Sequence, residues 1–165
     1  MTQRKLELFN QAVAQVLLHE GGYTHDKDDP GGETNFGIST RFLRQNNITA
    51  NVKFLKKEEA IFLYKKFFWD KYHFELLKQA PIATKIFDTA VNIGPAKAIE
   101  LAQRVLGLSD DGIIGPKTAS ALNGVKPQEF LQAYRLLQKE YYAKIIKKNP
   151  KLIVFKKGWN RRAES

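Results

Sequence analysis

Glycine and proline cut this sequence into helix-length pieces, and that punctuation leaves room for few folds. Pro81, Pro95, Pro116 and Pro127 stand where a helix can begin, because a missing N–H is tolerated in the first turn. Gly21, Gly94 and Gly107 stand where one can stop. Between these marks apolar residues recur at helical spacing. Leu6, Phe9, Val13, Val16 and Leu17 predict a first helix over residues 4–20. Ser39 and Thr40 can cap a short second helix reaching about Asn46, and residues 56–71 form a third, with Ala60, Leu63, Tyr64 and Phe67 on one stripe. Further helices are expected over 81–94, 95–107, 116–122 and 127–148, and the tail "FKKGWNRRAES" is expected to be irregular. Only "ETNFGI" reads as a hairpin. No strand–helix alternation and no repeat occur, so the expected fold is mainly α with one small β element beside the first helix.

Size and charge narrow the function. At 165 residues the chain fits one domain, or two lobes sharing a core with a seam near Gly94-Pro95. The absence of Cys excludes disulfides and thiolate zinc sites, and the three histidines, His19, His25 and His73, form no metal motif. Calcium loops starting at Asp26 or Asp110 lack the bidentate acid at the twelfth position, and no phosphate-binding loop or dinucleotide fingerprint is present, so neither metal nor cofactor is expected. No run of apolar residues is long enough for stable membrane insertion, and the N-terminus lacks a signal-peptide core. Lys and Arg number 27 against 17 Asp and Glu, a net charge of +10 that attracts polyanions: nucleic acid, anionic membrane or bacterial wall.

Against that background the stretch "LLHEGGYTHDKDDPGGETNFGIST" concentrates acids and backbone breakers. Glu20 follows Val16 by four residues, Val13 by seven and Phe9 by eleven, which puts it on the apolar side of the first helix at its C-terminal end. Burial and the negative end of the helix dipole both disfavour a charged carboxylate there. A carboxyl group that holds its proton is what a general acid needs. The turn after it brings back Asp26, Asp28 and Asp29, then Thr34. Glycoside hydrolysis requires an acid at the leaving oxygen and a carboxylate or positioned water across the sugar ring. The glycines bend the backbone and leave room for a sugar. The plain alternative for Asp29 is a turn-shaping residue before Pro30.

"HEGGYTHDKDDPGGETNFGIS" closely resembles the N-terminal signature of glycoside hydrolase family 108, lysozyme-like N-acetylmuramidases. "FDTAVNIGPAKA", "LAQRVLGLSDDGIIGPKTASAL" and "FKKGWNRR" are similar to the family's C-terminal, peptidoglycan-binding-like part. The resemblance implies a lysozyme-like fold, with a catalytic region over 1–94 and a helical peptidoglycan-binding-like region over 95–165 packed on it. It implies Glu20 as the catalytic acid; the chemistry of the motif makes Asp29 the expected second carboxylate, and Thr34 either binds the nucleophilic water or caps a backbone group. Asp26 and Asp28 compete with Asp29 or line the substrate site. Its expected partner is the peptidoglycan glycan strand, cleaved at the β-1,4 bond between N-acetylmuramic acid and N-acetylglucosamine. Inversion, retention and lytic transglycosylation all stay open.

Several other residues have two readings. Tyr23 can wall the cleft or join the core, and of Trp69 and Tyr72 one is expected to border the cleft. Asp88 and Asn92, one turn apart, reach the substrate as a polar pair or brace the turn at Gly94. Trp159, Arg161 and Arg162 bind glycan or pin the tail. Rival functions are a wall-binding or regulatory protein without chemistry, and a nucleic-acid binder; the basic helix around Lys139, Lys144, Lys147 and Lys148 has no helix-turn-helix context, so nucleic acid is not an expected partner. The expected protein is a monomer made in the cytoplasm. It acts on the wall, in the periplasm or outside the cell, after release by a holin or a secretion system.

Overall fold

A computed structural model describes residues 3–25 and 32–165. The first helix, α1, spans Gln3–His19 and buries Leu8, Phe9, Ala12, Val13 and Val16 along one side. A two-stranded antiparallel hairpin follows, β1 (Thr34–Asn35) and β2 (Ile38–Ser39), with Thr34 opposite Ser39 and Asn35 opposite Ile38. Its turn residues, Phe36 and Gly37, have φ of 50° and 77°, the left-handed pair that a two-residue hairpin turn requires. Ser39 caps α2 (Thr40–Gln45), its side chain accepting from the Phe42 N–H. Buried Asn35 ties the hairpin down by donating to the carbonyls of Val52 and Leu55 at 3.1 and 3.3 Å.

The expected third helix divides into α3 (Lys57–Tyr64) and a π-helical turn over Lys65–Asp70. The wider turn aligns residues five apart. It thereby brings Tyr64 and Trp69, both fully buried, to the same side of the chain. Trp69 packs on Phe9, Phe74 and Phe87 with ring centroids 5.1–5.4 Å apart.

Helix α4 (Ala80–Ile93) is the axis of the molecule, packed by α1 on one side and α5 (Pro95–Val105) and α7 (Pro127–Lys148) on others. Its buried residues run from Ile82 to Ala90 and include the charged Lys85 and Asp88. Between α5 and α6 (Pro116–Gly124), the "SDDGIIGP" turn is fastened by buried Gln103, which donates to Asp111, Ile113 and Thr118 and accepts from the Gly112 N–H. The tail is not irregular: a 3₁₀ segment, Pro150–Phe155, leads into α8, Lys156–Glu164. Trp159 of α8 stacks on Tyr142 of α7 at 5.1 Å. One apolar cluster joins residues of α1 and α4 to Ile99, Leu122, Phe130 and Tyr134.

Candidate active site

Glu20 prolongs α1 by one residue, its N–H donating to the Val16 carbonyl at 2.9 Å. Its side chain is 22% exposed, neither sealed in the core nor free in water. Two elements close on it. The hairpin turn does so through Gly37, where a Cβ would lie 2.7 Å from Glu20 Cγ and 2.5 Å from the Tyr64 hydroxyl. The glycine therefore makes room for Glu20 itself, while Gly21 and Gly22, expected to admit a sugar, have nothing among the described residues within 4 Å of where a side chain would start. Tyr64 donates to the Phe36 carbonyl at 2.7 Å and so fixes the hairpin turn to α3. Burial, with the neighbouring charges of Glu20 and Asp88, pushes the Tyr64 hydroxyl above its ordinary range, against the opposing pull of Arg162, so it stays a donor.

The second element is α8. Arg162 Nη1 donates to Glu20 Oε1 at 2.6 Å. The other edge of the same guanidinium grips Asp88: Nε donates to Oδ2 and Nη2 to Oδ1, both at 2.9 Å, and Nη2 also reaches the Asp88 carbonyl at 3.3 Å. Such a fork-to-fork pair fixes direction as well as distance. His19 Nδ1 adds a bond to Asp88 Oδ1 at 2.9 Å, and its Nε2 lies 3.3 Å from Gln15 Nε2. Burial works against the charge on Arg162, but the bonds and charges of Asp88 and Glu20 outweigh it and hold the guanidinium above its ordinary range.

The sequence places Glu20 among apolar neighbours; the structure gives its carboxylate an arginine instead. Asp88 does not brace the turn at Gly94. Both its oxygens are occupied and it is buried, so it acts by holding Arg162. Asn92 accepts from the Tyr142 hydroxyl at 2.6 Å, a tie between α4 and α7. Trp69 has no exposed surface and cannot border a cleft, because the π turn commits its ring to the core. Tyr72 is half-buried against that core with the Lys71 ammonium 5.8 Å from its ring. Tyr23 is exposed, with the Lys53 ammonium 5.9 Å from its ring. Thr34 hydrogen-bonds through its hydroxyl to that of Thr24 at 2.5 Å, and the two backbones exchange bonds at 2.8 and 2.9 Å. Asp26, Asp28 and Asp29 lie outside the described residues.

Helical spacing alone carried one signal of this arrangement. Lys85 and Asp88 lie in the stretch of α4 from Ile82 to Ala90 that is buried on nearly every side, and a charge in such company requires a partner. What no local pattern indicates is that the partner comes from residue 162.

The glycosyl hydrolase 108 family model matches residues 13–94, and a model described as a predicted peptidoglycan domain matches residues 97–164. Glu20 thus lies in the first match and Arg162 in the second. The structure of Brucella abortus SagA is similar, with a TM-score of 0.80 and 29% identity, covering 94% of this chain and 89% of that one. A search of curated proteins gives no match.

Proposed function

Because the chain belongs to the glycosyl hydrolase 108 family, we propose that it is an N-acetylmuramidase that cuts the β-1,4 bond between N-acetylmuramic acid and N-acetylglucosamine. The chain is a lysozyme-like glycoside hydrolase joined to a peptidoglycan domain. The finer reading is supported above all by the place of Glu20, a partly exposed carboxyl group at the end of α1, against the hairpin turn and inside the glycosyl hydrolase match.

In the proposed reaction Glu20 gives its proton to the glycosidic oxygen as the bond to the anomeric carbon breaks, and the proton leaves with the new hydroxyl. The positive charge that develops on the sugar is met by a carboxylate, for which Asp29 is our first choice and Asp26 and Asp28 the alternatives. Water adds to the anomeric carbon, and its proton passes to a carboxylate. Thr34, its hydroxyl held by Thr24, is the proposed water-positioning group. Tyr23 and Tyr72 offer ring surface to the sugars. Arg162 and Asp88 are positioning residues, since they set where the Glu20 carboxyl sits. We further propose a monomer that acts at the cell wall after release from the cytoplasm, with residues 1–94 supplying the acid and residues 95–165 both glycan affinity and Arg162.

Digestion of purified peptidoglycan by parent and Glu20→Gln, with products identified by mass spectrometry, tests this reading. The expected result is reducing-end muropeptides from the parent and a rate lower by about a thousand-fold from the variant, within the range of general acid catalysis. Equal product release by the variant overturns the assignment of Glu20. Anhydromuropeptides from the parent replace hydrolysis by transglycosylation.

A further inference from the structure

The turn joining α7 to α8 combines exposed apolar surface with charge of a single sign. Ile153, Val154 and Phe155 are 51%, 74% and 47% exposed, and no residue of the 3₁₀ segment that carries them is buried. Between Glu140 and Glu164 the chain has eight Lys and Arg and no Asp or Glu. Lys147, Lys148, Lys151, Lys156 and Lys157 are all exposed. The lysines that do form ion pairs among the described residues are elsewhere. Nor is the turn loosely attached. Phe155 stacks on Trp159 at 5.7 Å, Trp159 stacks on Tyr142 at 5.1 Å, and the Leu152 N–H closes on the Asn149 carbonyl at 3.0 Å. A fixed scaffold therefore presents three consecutive apolar side chains with cations on both flanks.

A polyanion in water is attracted by the lysines alone and has no use for the aliphatic tip. A lipid interface uses both parts, since apolar groups enter the boundary between headgroups and acyl chains while cations rest on anionic headgroups. We propose that this turn is a peripheral docking surface for an anionic lipid bilayer. Ile153, Val154 and Phe155 are the inserting residues, and the flanking lysines select negative lipid. No helix among the described residues is long and apolar enough to cross a membrane, so the attachment is interfacial and reversible. The docking surface leads directly into α8, the helix that carries Arg162, so a docked molecule stays at the membrane by the same end that supports Glu20.

The inference is independent of the catalytic reading, and Glu20→Gln is expected to dock as the parent does. The test is co-sedimentation with vesicles of phosphatidylcholine containing phosphatidylglycerol, against pure phosphatidylcholine, followed also by tryptophan fluorescence. Trp159 reports on the turn, while fully buried Trp69 supplies a constant background. Binding is expected only with phosphatidylglycerol. Changing Lys156 and Lys157 to Gln is expected to weaken it about 25-fold, roughly five-fold per cation at the membrane surface. Ile153→Ser with Val154→Ser is expected to weaken it about ten-fold or more, as apolar insertion is lost. These side chains are exposed, so unchanged melting of both double variants confirms that the fold is intact. Failure of the parent to bind phosphatidylglycerol vesicles overturns the proposal. So does equal binding to pure phosphatidylcholine, or a serine double variant that binds as the parent does, since the surface would then sense negative polymers in general.

Discussion

Arg162 divides one guanidinium between two carboxylates, and the division is unequal. Asp88 is buried and takes the fork; Glu20 is partly exposed and takes a single N–H at 2.6 Å. Asp88 thus fixes the plane of the guanidinium, and the plane fixes one oxygen of Glu20. A lysine at 162 keeps a positive charge and loses that plane. Arg162→Lys is therefore expected to lower kcat on peptidoglycan by about a hundred-fold, the effect of displacing a reacting group by about an ångström, with a smaller change in KM. Asp88→Asn removes the other half of the fork and is expected to give a similar loss. Because both act on one oxygen of Glu20, the double variant is expected to be little worse than either single one. Kinetics of the three proteins measure that coupling, and simple multiplication of the two effects would mean that the residues act separately. An alanine at 162 is the poorer test, because it leaves Asp88 buried without its partner and costs about 3–5 kcal/mol of stability.

Among the elements, the hairpin and α8 show what a sequence makes legible. "ETNFGI" reads as a hairpin because the segment around it is too broken by glycine and proline for a helix, and the turn forms at Phe36-Gly37. Its tertiary task, to pack Gly37 on Glu20, depends on a contact 17 residues away and has no local trace. Gly37→Ala combines a left-handed backbone with a Cβ inside Glu20 and Tyr64. It is expected to destabilise by about 3 kcal/mol and to reduce activity further by moving Glu20, read by thermal unfolding and turnover together. Helix α8 was illegible for the opposite reason. "KKGWNRRAE" has a glycine at its third position and little apolar periodicity, because anchors rather than a greasy face hold it: the Trp159 stack, the Arg162 fork, and Lys85, whose ammonium donates to the Arg162 and Ala163 carbonyls at 2.9 and 2.7 Å. Burial lowers the Lys85 amine to about 8, with Asp88 opposing and Arg135, Arg162 and Lys139 assisting. In the unfolded chain it titrates near 10.5. Below pH 8 both states carry the proton; between the two values only the unfolded state does, so stability rises with pH across that window. The parent is expected to gain up to about 3 kcal/mol relative to Lys85→Met between pH 7 and pH 10.5, measured as the difference between their denaturation free energies. A constant difference would mean that the amine is not desolvated.

At the scale of the whole molecule the two family matches meet in one interior. Ala90 of α4, inside the first match, and Ile99, Phe130 and Tyr134, inside the second, belong to the same apolar cluster, and Tyr142 of the second donates to Asn92 of the first at 2.6 Å. The mainly α architecture was legible because helix starts and stops are written locally. The place of Glu20 at the end of α1 was legible because the helical spacing before it and the glycines after it are local too. Arg162 was not, since the contact that defines it spans 142 residues. That separation bears on how the chain can be divided. A fragment ending at Gly94 would expose the side of α4 that α5 and α7 cover, and would leave Asp88 in an apolar setting with His19 but without its guanidinium. Lost burial and an unpaired charge act in the same direction. The full chain is therefore expected to unfold in one cooperative transition, with calorimetric and van't Hoff enthalpies equal. Residues 1–94 alone are expected to show no such transition and to release no muropeptides, even at concentrations that offset any loss of wall affinity. A fragment that melts cooperatively but is inactive would keep Arg162 as the missing part and remove the shared core as the reason. A fragment that both melts and digests peptidoglycan would show that the acid needs nothing from the C-terminal helices.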